Sequence, residues 1–297
     1  MKILMVGVWS PDGTNTPLHD AFEALGHDVT FYNFANFGTF NFVKPLPIME
    51  AEIIQLAKAM KPDLIFFCKI EGFDPDFVAT LSYHWHTHYW FMDPMSTAIA
   101  MGAKFLATRC RTVSATSSEV AKFLRGGHII EGYDPNIFHR LESSVKPKAH
   151  RVSFVGSIDN NREHFLSQLK TPVHVVESGF SYEKINELYN DSAIVLNFVR
   201  DPYIVSDRVV QILASGALPL SQISHDLVRF GPHGGIENYN KFWQYFSFAS
   251  VEELNARIDN MLRSFLTYHS LLDNFPISNY TWESQAQKVL DYIGAVK

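Results

Sequence analysis

The chain of 297 residues contains only two cysteines, Cys68 and Cys110, which form no disulfide framework and match no metal-binding spacing. So few cysteines favour a reducing, cytoplasmic compartment. No uncharged apolar stretch approaches the ~20 residues of a membrane span, and the apolar run at the N-terminus is shorter than a signal-peptide core. We therefore expect a cytoplasmic protein without a membrane span.

Basic residues are also fewer than acidic ones. There are 25 Lys and Arg against 31 Asp and Glu, which gives a net charge of −6. This balance excludes a protein that is basic throughout and binds nucleic acid by charge alone. The charge varies locally, because residues 104–151 hold nine basic and four acidic residues, a net charge of +5. This segment is either a solvated face with a linker or a surface that attracts a polyanion such as DNA.

Short apolar runs bounded by turns alternate with stretches of helical periodicity along the whole chain. Strands are predicted at residues 2–8, 28–32, 64–68, 88–92 and 112–115, and again at 151–156, 173–176, 194–198 and 218–220. The polar, proline-containing stretch 133–148 indicates a linker between the two series. At 297 residues the chain is long enough for two domains.

The repeated strand–helix alternation predicts an α/β fold with two Rossmann-like domains. We place the first domain at residues 1–140, the second at 147–275, and a C-terminal helix at 280–297. Ligands of such folds bind outside the carboxyl ends of the parallel strands. The residues that follow those strands are therefore the candidates for function.

Three segments of the second half carry a resemblance to a known family. They are Phe-Val-Gly-Ser-Ile-Asp-Asn-Asn-Arg-Glu at 154–163, Tyr-Asn-Asp-Ser-Ala-Ile-Val-Leu-Asn-Phe at 189–198, and Ser-Asp-Arg-Val-Val-Gln-Ile-Leu-Ala-Ser-Gly-Ala at 206–217. The first half adds Lys-Pro-Asp-Leu at 61–64, a strand ending at Asp93, and Gly-Tyr-Asp-Pro-Asn-Ile-Phe at 132–138. In this order the segments resemble the GT-B glycosyltransferases, and most closely their CgeB-like (spore-maturation-protein-like) branch. The resemblance covers nearly the whole chain.

The resemblance implies a GT-B fold, in which two Rossmann-like domains face a central cleft and the C-terminal helix returns to the N-terminal domain. It implies transfer of a sugar from a nucleotide-sugar donor, with a UDP-sugar favoured, to an acceptor hydroxyl, without a cofactor or a metal ion. The residues that it assigns to the donor are Gly13, Thr14, Gly156, Ser157, Arg162, Asn197, Arg208, Gln211 and Gly216.

Arg208 and Gln211 are three residues apart on a predicted helix and so face the same side. A guanidinium pairs two phosphate oxygens with its planar fork, which suits a diphosphate. The family usually has Glu at the position of Gln211, where it accepts hydrogen bonds from the ribose hydroxyls, whereas Gln offers a carbonyl acceptor and an added donor. The alternative for Arg208 is a surface ion pair with Asp207 or Asp201.

Arg162 follows a Gly-Ser loop at a helix start, where backbone N–H groups and the helix dipole favour an anion. Alternatively, Glu163 or Asp159 satisfies it. Gly156 permits a close backbone approach. Gly216 serves either as a helix C-cap or as part of the nucleotide-binding loop that the family places there.

Two candidates lie in the first half. The loop 12–15 opens a helix, and its Gly13 and Thr14 either contact the donor or form a simple capped turn. Asp93 follows an aromatic strand directly, a position that suits a base accepting the proton of the acceptor hydroxyl. The alternative is an ordinary Asp-Pro turn with Pro94.

Two patterns imitate metal sites. His84, His86 and His88 alternate, which on a strand would place them on one face, but no carboxylate or cysteine has partner spacing. Asp74-Pro75-Asp76 imitates the Asp-x-Asp motif of metal-binding transferases. Asp74 before Pro75 is better explained as a helix N-cap with proline at the first helical position. We assign no metal site.

The acceptor is left open among a saccharide, a small metabolite and a hydroxymethylated pyrimidine in DNA, the substrate of compact phage GT-B enzymes. The basic segment 104–151 would serve the DNA option. A second class of function is a non-catalytic protein that binds a nucleotide-sugar or a glycan, to which Gln211 gives weight.

Overall fold

The computed structural model describes residues 1–10, 13–36, 41–141, 148–177, 179–230 and 242–296. The chain divides into two compact units. The first unit combines Met1–Glu131 with Trp282–Lys297, and the second is Gly132–Thr281. Part of the predicted linker, residues 142–147, lies outside the described residues.

The first unit is a six-stranded parallel sheet with helices on both faces. Its strands are β1 (Lys2–Gly7), β2 (Asp28–Asn33), β3 (Leu64–Cys68), β4 (Thr87–Phe91), β5 (Thr112–Ala115) and β6 (Gly127–His128), in the order β2-β1-β3-β4-β5-β6 among the described residues. The helices are α1 (Asn15–Ala24), α2 (Leu46–Met60), α3 (Pro75–His84), α4 (Met95–Ala100), α5 (Ala103–Ala107) and α6 (Ser118–Leu124).

The second unit is a five-stranded parallel sheet. Its strands are β7 (His150–Val155), β8 (His174–Val176), β9 (Ser192–Asn197), β10 (Leu218–Gln222) and β11 (Ser247–Phe248), in the order β11-β10-β9-β7-β8 among the described residues. Its helices are α7 (Asn160–Leu166), α8 (Tyr182–Asn190), α9 (Asp207–Ala214), α10 (Val251–Arg263) and α11 (Phe265–Leu272). The C-terminal helix α12 (Trp282–Ala295) belongs to the first unit.

The continuous apolar run of β1 feeds two separate cores, because successive side chains of a strand point to opposite faces of the sheet. Leu4 and Val6 pack with the α2 to α6 side, and Ile3 and Met5 pack on the other side. On that second side α1 and α12 close the core, where Trp282 lies against Trp90 with ring centroids 5.9 Å apart. The C-terminal helix therefore packs on the sheet of the first unit, as predicted.

The helices that follow the strands of the second unit begin at defined caps. The side chains of Asp159, Ser181, Ser206 and Ser250 each accept a hydrogen bond from a backbone N–H in the first turn of α7, α8, α9 and α10. Such caps fix where a helix starts. They thereby position the two arginines in the first turns of α7 and α9, Arg162 and Arg208.

The three alternating histidines do not share one strand, because His84 ends α3. His88 lies on β4 and is fully buried, with Nδ1 2.9 Å from the Thr112 hydroxyl and Nε2 2.8 Å from the Ser114 hydroxyl. It also stacks on Phe66, with ring centroids 5.1 Å apart. His88 is therefore a neutral core residue that bridges two hydroxyls.

Burial, with a smaller contribution from His86, lowers the pKa of His88 from 6.5 to about 3. Between these values the unfolded chain binds a proton that the folded chain does not, so the folded state loses stability as pH falls from 6.5 towards 3. Over about two pH units this one group should cost about 3 kcal/mol of unfolding free energy. We expect His88→Asn to lower stability at neutral pH but to flatten this acid slope, measured by urea denaturation at several pH values.

The exposed His84 provides the control, since His84→Gln should leave the slope of the native protein unchanged. An equal acid slope in the native protein and in His88→Asn would show that other groups cause the acid sensitivity.

Candidate functional site

Gly156 directly follows β7 and lies against two guanidinium groups. Its φ of +140° is one that residues with a side chain rarely adopt. A Cβ at this position would lie 3.1 Å from Arg208 Nη2 and 3.7 Å from Arg162 Nη1. The absence of a side chain therefore lets both arginines approach the carboxyl end of β7.

Arg162 is buried although it carries a charge, with 2% of its side chain exposed. Its Nη1 donates to the Ser157 carbonyl at 2.5 Å and to the Ser157 hydroxyl at 3.2 Å. Its buried Nε has no hydrogen-bond partner among the described residues, and the Asp159 carboxylate lies 3.6 Å away. Burial lowers the pKa of Arg162, and the positive charges of Arg208 and Arg200 lower it further. An anion bound beside Arg162 would supply a partner for Nε and reduce the repulsion among these positive charges.

Arg208 is held by the ends of two neighbouring strands. Its Nη1 donates to Asn197 Oδ1 at 3.2 Å, and Asn197 Nδ2 donates to the Ser221 hydroxyl at 2.9 Å. Asn197 ends β9 and pairs with Ser221 of β10. Asp207 contacts Arg208 through the backbone N–H, at 2.8 Å, and not through an ion pair. The guanidinium therefore points to the strand ends rather than to a surface carboxylate.

Arg200 is a third cation at this place, and the sequence reasoning missed it. It lies after β9, is exposed, and donates from Nη2 to the Ser157 hydroxyl at 3.4 Å. The exposed Ser157 hydroxyl thus lies between Arg162 and Arg200. We call Arg162, Arg200 and Arg208 the arginine cluster. The only sequence signal for Arg200 was its position as a basic residue shortly after a predicted strand.

A polar cavity of about 630 Å³ adjoins the arginine cluster. It is lined by residues at and beyond the carboxyl ends of β7, β9 and β10, namely Asp159, Asn160, Asn161, Val199, Arg200, Asp201, Pro202, Gln222 and Ile223. Asn161 Nδ2 donates to Gln222 Oε1 at 3.1 Å across it. This volume is within the range of small-ligand sites, and the carboxyl ends of parallel strands are where such sites form.

Two further donor candidates lie on α9 and after it. Gln211 is buried, and its Nε2 donates to Asp207 Oδ2 at 3.1 Å, one helical turn earlier. Gly216 has φ +78° and ends α9, where its Cβ would lie 2.8 Å from Arg140 Cγ. The structure thus brings Gly156, Ser157, Arg162, Asn197 and Arg208 together, keeps Gln211 on the same helix, and leaves Gly216 at the far end of α9.

In the first unit, Gly13 and Thr14 are engaged within the fold. The Gly13 N–H donates to the Ser10 carbonyl at 3.0 Å, and the Thr14 hydroxyl donates to Glu131 at 3.4 Å. Thr14 precedes α1 without a side-chain cap. Asp12 of the same predicted loop lies outside the described residues.

Asp93 belongs to a cluster of ionisable groups at the carboxyl ends of β3 and β4. Its Oδ2 lies 2.5 Å from Lys69 Nζ, and 29% of its side chain is exposed. Nearby, Glu71 accepts a hydrogen bond of 2.6 Å from the buried Tyr89 hydroxyl. Burial raises the pKa of Glu71, and the charge of Asp93 adds to that rise. Sequence reasoning found Asp93 but not Lys69, Glu71 or Tyr89.

The explanation of Asp74 as an N-cap is confirmed. It precedes α3, its side chain accepts from the Asp76 N–H at 2.9 Å, and Pro75 is the first helical residue. Within the described part of the chain, the side chains that could together hold a metal ion are His19, Asp20 and Glu23 on α1.

The basic segment 104–151 is divided between the two units. Several of its cations have partners in the fold: Arg109 with Asp76 at 3.5 Å, Arg111 with the Ser82 carbonyl at 2.9 Å, Arg140 with Asp273 at 2.9 Å, and Lys148 with the Asn190 carbonyl at 2.5 Å. Lys146 lies outside the described residues. These contacts favour a structural role for much of the segment.

None of the helices in the described ranges is long and apolar enough to cross a membrane.

No protein-family model matches the chain, and no curated protein matches its sequence. Solved structures match it over nearly its whole length. Anabaena HepE, solved with UDP and glucose, has a TM-score of 0.62 at 16% identity over 99% of this chain and 100% of its own. An alpha-glucosyltransferase solved with UDP and a 13-mer DNA has a TM-score of 0.67 at 9% identity over 99% of this chain and 100% of its own. A UDP-GlcNAc 2-epimerase from Neisseria meningitidis has a TM-score of 0.57 at 9% identity over 99% of this chain and 100% of its own.

These likenesses establish the fold. The chain has the two parallel-sheet, Rossmann-like domains of the GT-B architecture, and this prediction from the sequence is confirmed. At identities of 9% to 16% the fold alone does not assign a reaction. The epimerase, for example, is named for a reaction other than sugar transfer to an acceptor, although its fold is similar.

Proposed function

We propose that the protein is a glycosyltransferase of the CgeB-like branch, which transfers a sugar from a UDP-sugar to an acceptor hydroxyl. The observation that carries this proposal is the arginine cluster. The guanidiniums of Arg162 and Arg200 contact the exposed Ser157. That of Arg208 lies beside Gly156 and Asn197, and all three are at the carboxyl ends of β7 and β9, next to a cavity. The order of motifs along the sequence supports the branch, and the UDP in the HepE and alpha-glucosyltransferase structures supports the nucleotide.

The cluster suits the leaving group of such a reaction. When the acceptor oxygen attacks the anomeric carbon, the bond from that carbon to the β-phosphate oxygen breaks, and UDP leaves with the bonding electrons. Guanidiniums that pair phosphate oxygens stabilise the developing charge. In this proposal Arg162 and Arg208 hold the diphosphate, and the cavity beside Arg200 receives another part of the donor. The arginines supply the positive charge, so we propose no metal ion and no cofactor.

The proton of the acceptor hydroxyl needs an acceptor of its own. We propose Asp93, because its carboxylate is partly exposed whereas that of Glu71 is occupied by the Tyr89 hydroxyl. Lys69 orients Asp93 through their ion pair. We place Gly13 and Thr14 as donor contacts of the first unit, as the sequence resemblance implies.

For the acceptor we propose a saccharide or a small molecule. A hydroxymethylated pyrimidine in DNA is the alternative that the DNA in the alpha-glucosyltransferase structure favours. A non-catalytic nucleotide-sugar binding protein is the second candidate function, because the Gln211 amide is already bonded to Asp207. Release of UDP from a UDP-sugar separates an enzyme from a binding protein.

We expect UDP to stabilise the protein against thermal unfolding, and more strongly than UMP or uridine. A ligand that binds only the folded state raises stability by about 2.7 kcal/mol at a hundred times its dissociation constant. The second phosphate should matter most because the arginines pair phosphate oxygens. The shift should be the same with EDTA as with added magnesium, measured by differential scanning fluorimetry.

An equal response to uridine and UDP would place the binding energy outside the arginine cluster. No response to UDP, GDP or ADP would contradict the proposed donor site. A response that EDTA abolishes and magnesium restores would overturn the metal-free proposal.

A further inference from the structure

A second cavity of the second unit lies at the carboxyl end of α9, whereas the arginine cluster lies at its start. It has a volume of about 370 Å³, and all of its lining residues belong to this one unit. Five of the lining side chains are each 6% exposed or less: Tyr133, Phe138, Leu213, Leu272 and Phe275. Small-ligand sites of this size are mostly apolar, with a few polar groups that fix the orientation of the ligand. We call it the Tyr133 cavity.

The walls of the Tyr133 cavity are held in place by aromatic contacts. Phe138 packs on Tyr182 and Tyr189, with ring centroids 5.6 and 6.4 Å apart. Phe275 packs on Phe230, with ring centroids 5.4 Å apart. Contacts of this kind stabilise the positions of the rings beyond the effect of burial alone. The cavity is therefore a pre-formed part of the fold.

Tyr133 is the polar member of the five buried side chains. Its backbone is fixed, because the N–H donates to the Tyr280 carbonyl at 3.1 Å. The hydroxyl makes no hydrogen bond to any of the described residues, and burial raises its pKa. Buried polar groups normally have a hydrogen-bond partner. A ligand that accepts a hydrogen bond in this cavity would supply one.

The rim of the Tyr133 cavity carries a cation. Arg140 is 41% exposed, and its Nη1 lies 2.9 Å from Asp273 Oδ1. Its stem lies against Gly216, where a Cβ would be 2.8 Å from Cγ, so the guanidinium is held beside the end of α9. Burial lowers the pKa of the nearby His269, and the positive charges of Arg140 and Lys148 lower it further, against the opposing charge of Asp273. The two cations face one carboxylate here, which favours an anionic ligand.

We propose that the Tyr133 cavity binds a small aromatic carboxylate, whose ring lies between the apolar walls and whose oxygens accept hydrogen bonds from Arg140 and from the Tyr133 hydroxyl. A ring suits walls that include two phenylalanines and a tyrosine, because aromatic rings attract one another in stacked and edge-to-face arrangements. A carboxylate suits the planar fork of a guanidinium. This inference is independent of the proposed sugar transfer, since no residue of the arginine cluster lines this cavity.

The test is fluorine NMR of the full chain with three probes of similar size, para-fluorobenzoate, para-fluorobenzyl alcohol and para-fluorobenzylamine. We expect the benzoate to bind with a Kd on the order of 1 mM or below, as suits a ligand of so few atoms. It should bind about tenfold more tightly than the alcohol and the amine, the difference expected for one hydrogen bond to a charged group. An excess of UDP should not displace it, because the arginine cluster is a separate site.

Four variants test the residues of the cavity. Arg140→Gln should lower the preference for the benzoate over the alcohol from about tenfold to about onefold. Asp273→Asn should strengthen benzoate binding by roughly threefold, because it removes the carboxylate that competes for the guanidinium. Tyr133→Phe should weaken it by about three- to tenfold. Ala214→Leu fills part of the cavity and should abolish the binding of all three probes.

Matched controls exist in the same unit. Arg263 is exposed on α10 and donates from Nη2 to Asn260 at 2.8 Å, so Arg263→Gln removes an exposed arginine with a single acceptor from another place. Tyr245 is 45% exposed, and Tyr245→Phe removes a hydroxyl far from burial. Both controls should bind the benzoate as the native protein does. The exposed position of Arg140 keeps the test valid even if Ala214→Leu does not fold.

Three results would overturn the proposal. The first is that no probe binds, or that the benzoate binds no better than the alcohol. The second is a preference for the amine, which would assign the polar end of the ligand to Asp273 and to the carbonyl groups at the end of α9. The third is an unchanged preference for the benzoate in Arg140→Gln together with displacement by UDP, which would place the benzoate at the arginine cluster.

Discussion

Replacing Arg208 by Ala is expected to weaken UDP binding by about ten- to a hundredfold, which corresponds to the ~1.5–3 kcal/mol of a hydrogen bond between charged groups. The expectation rests on the position of this guanidinium, which reaches Asn197 and approaches Gly156 within 3.1 Å of the Cβ position. Arg208→Lys should recover only part of the affinity, because an ammonium lacks the planar fork. Isothermal titration of UDP measures both variants.

Arg257→Ala is the control for this experiment. Arg257 lies on α10, a later amphipathic helix, and is partly exposed like Arg208. We expect its affinity for UDP to equal that of the native protein. If Arg208→Ala and Arg257→Ala bound UDP equally well, Arg208 would be removed from the donor site. Arg162→Ala is less informative, because the loss of a buried side chain that holds Ser157 should also lower stability.

The residues proposed for the second-unit site lie at regular positions of a strand–loop–helix unit. Gly156 follows a strand, and Arg162 and Arg208 lie in the first turns of capped helices, where sequence signals are strong. Parallel strands then bring their carboxyl ends to one edge, which places Asn197 beside Arg208. Position in this pattern and the family resemblance together led to these candidates, and their role in a donor site stays a prediction.

Arg200 was missed because it lies in a loop without periodicity, where the spacing of residues does not predict the direction of a side chain. The partner of Gln211 was missed for a similar reason. Residues 207 and 211 are one turn apart, but the sequence alone does not decide whether the amide turns to Asp207 or to a ligand. Side-chain direction in these two cases is settled by local contacts rather than by the hydrophobic pattern.

In the first unit the sequence identified Asp93 but not the groups around it. Lys69 adopts φ +52°, which is uncommon outside glycine, and the turn that follows brings Glu71 to Tyr89 on the neighbouring strand. The spacing of residues 69, 71, 89 and 93 does not predict that they lie together. It arises from the pairing of β3 with β4, which only the folded chain shows.

The fold predictions failed mainly at short elements. The two-residue strands β6 and β11 and the helices α4 and α11 were not predicted. Two residues are too few for a periodicity, and α4 and α5 expose their largest apolar side chains, which obscures the usual amphipathic signal. Longer elements such as α10 were clear, because Leu254, Ile258 and Met261 recur at helical spacing on its buried face.

Replacing Asp93 by Asn is expected to lower sugar transfer by about 10²–10⁴-fold while leaving UDP affinity nearly unchanged, because general-base help is typically of this size. Asn keeps the shape and the hydrogen-bonding reach of the carboxylate but cannot take the acceptor's proton. The proposed diphosphate contacts come from Arg162 and Arg208 of the second unit, so donor binding should survive. Transfer is followed as UDP release from UDP-glucose with saccharides and with hydroxymethylated DNA as acceptors.

Two further variants decide between the carboxylates and a structural role. Asp76→Asn, an exposed acid on α3 with 85% of its side chain accessible, should keep native turnover. Glu71→Gln should cost less rate than Asp93→Asn, because the Glu71 carboxylate is occupied by the Tyr89 hydroxyl and is largely withdrawn from an acceptor. If Asp93→Asn retained most of its turnover, Asp93 would be a turn residue before Pro94, and a larger loss in Glu71→Gln would move the role of the base to Glu71. Loss of UDP affinity in Asp93→Asn would instead place this carboxylate among the groups that organise the donor.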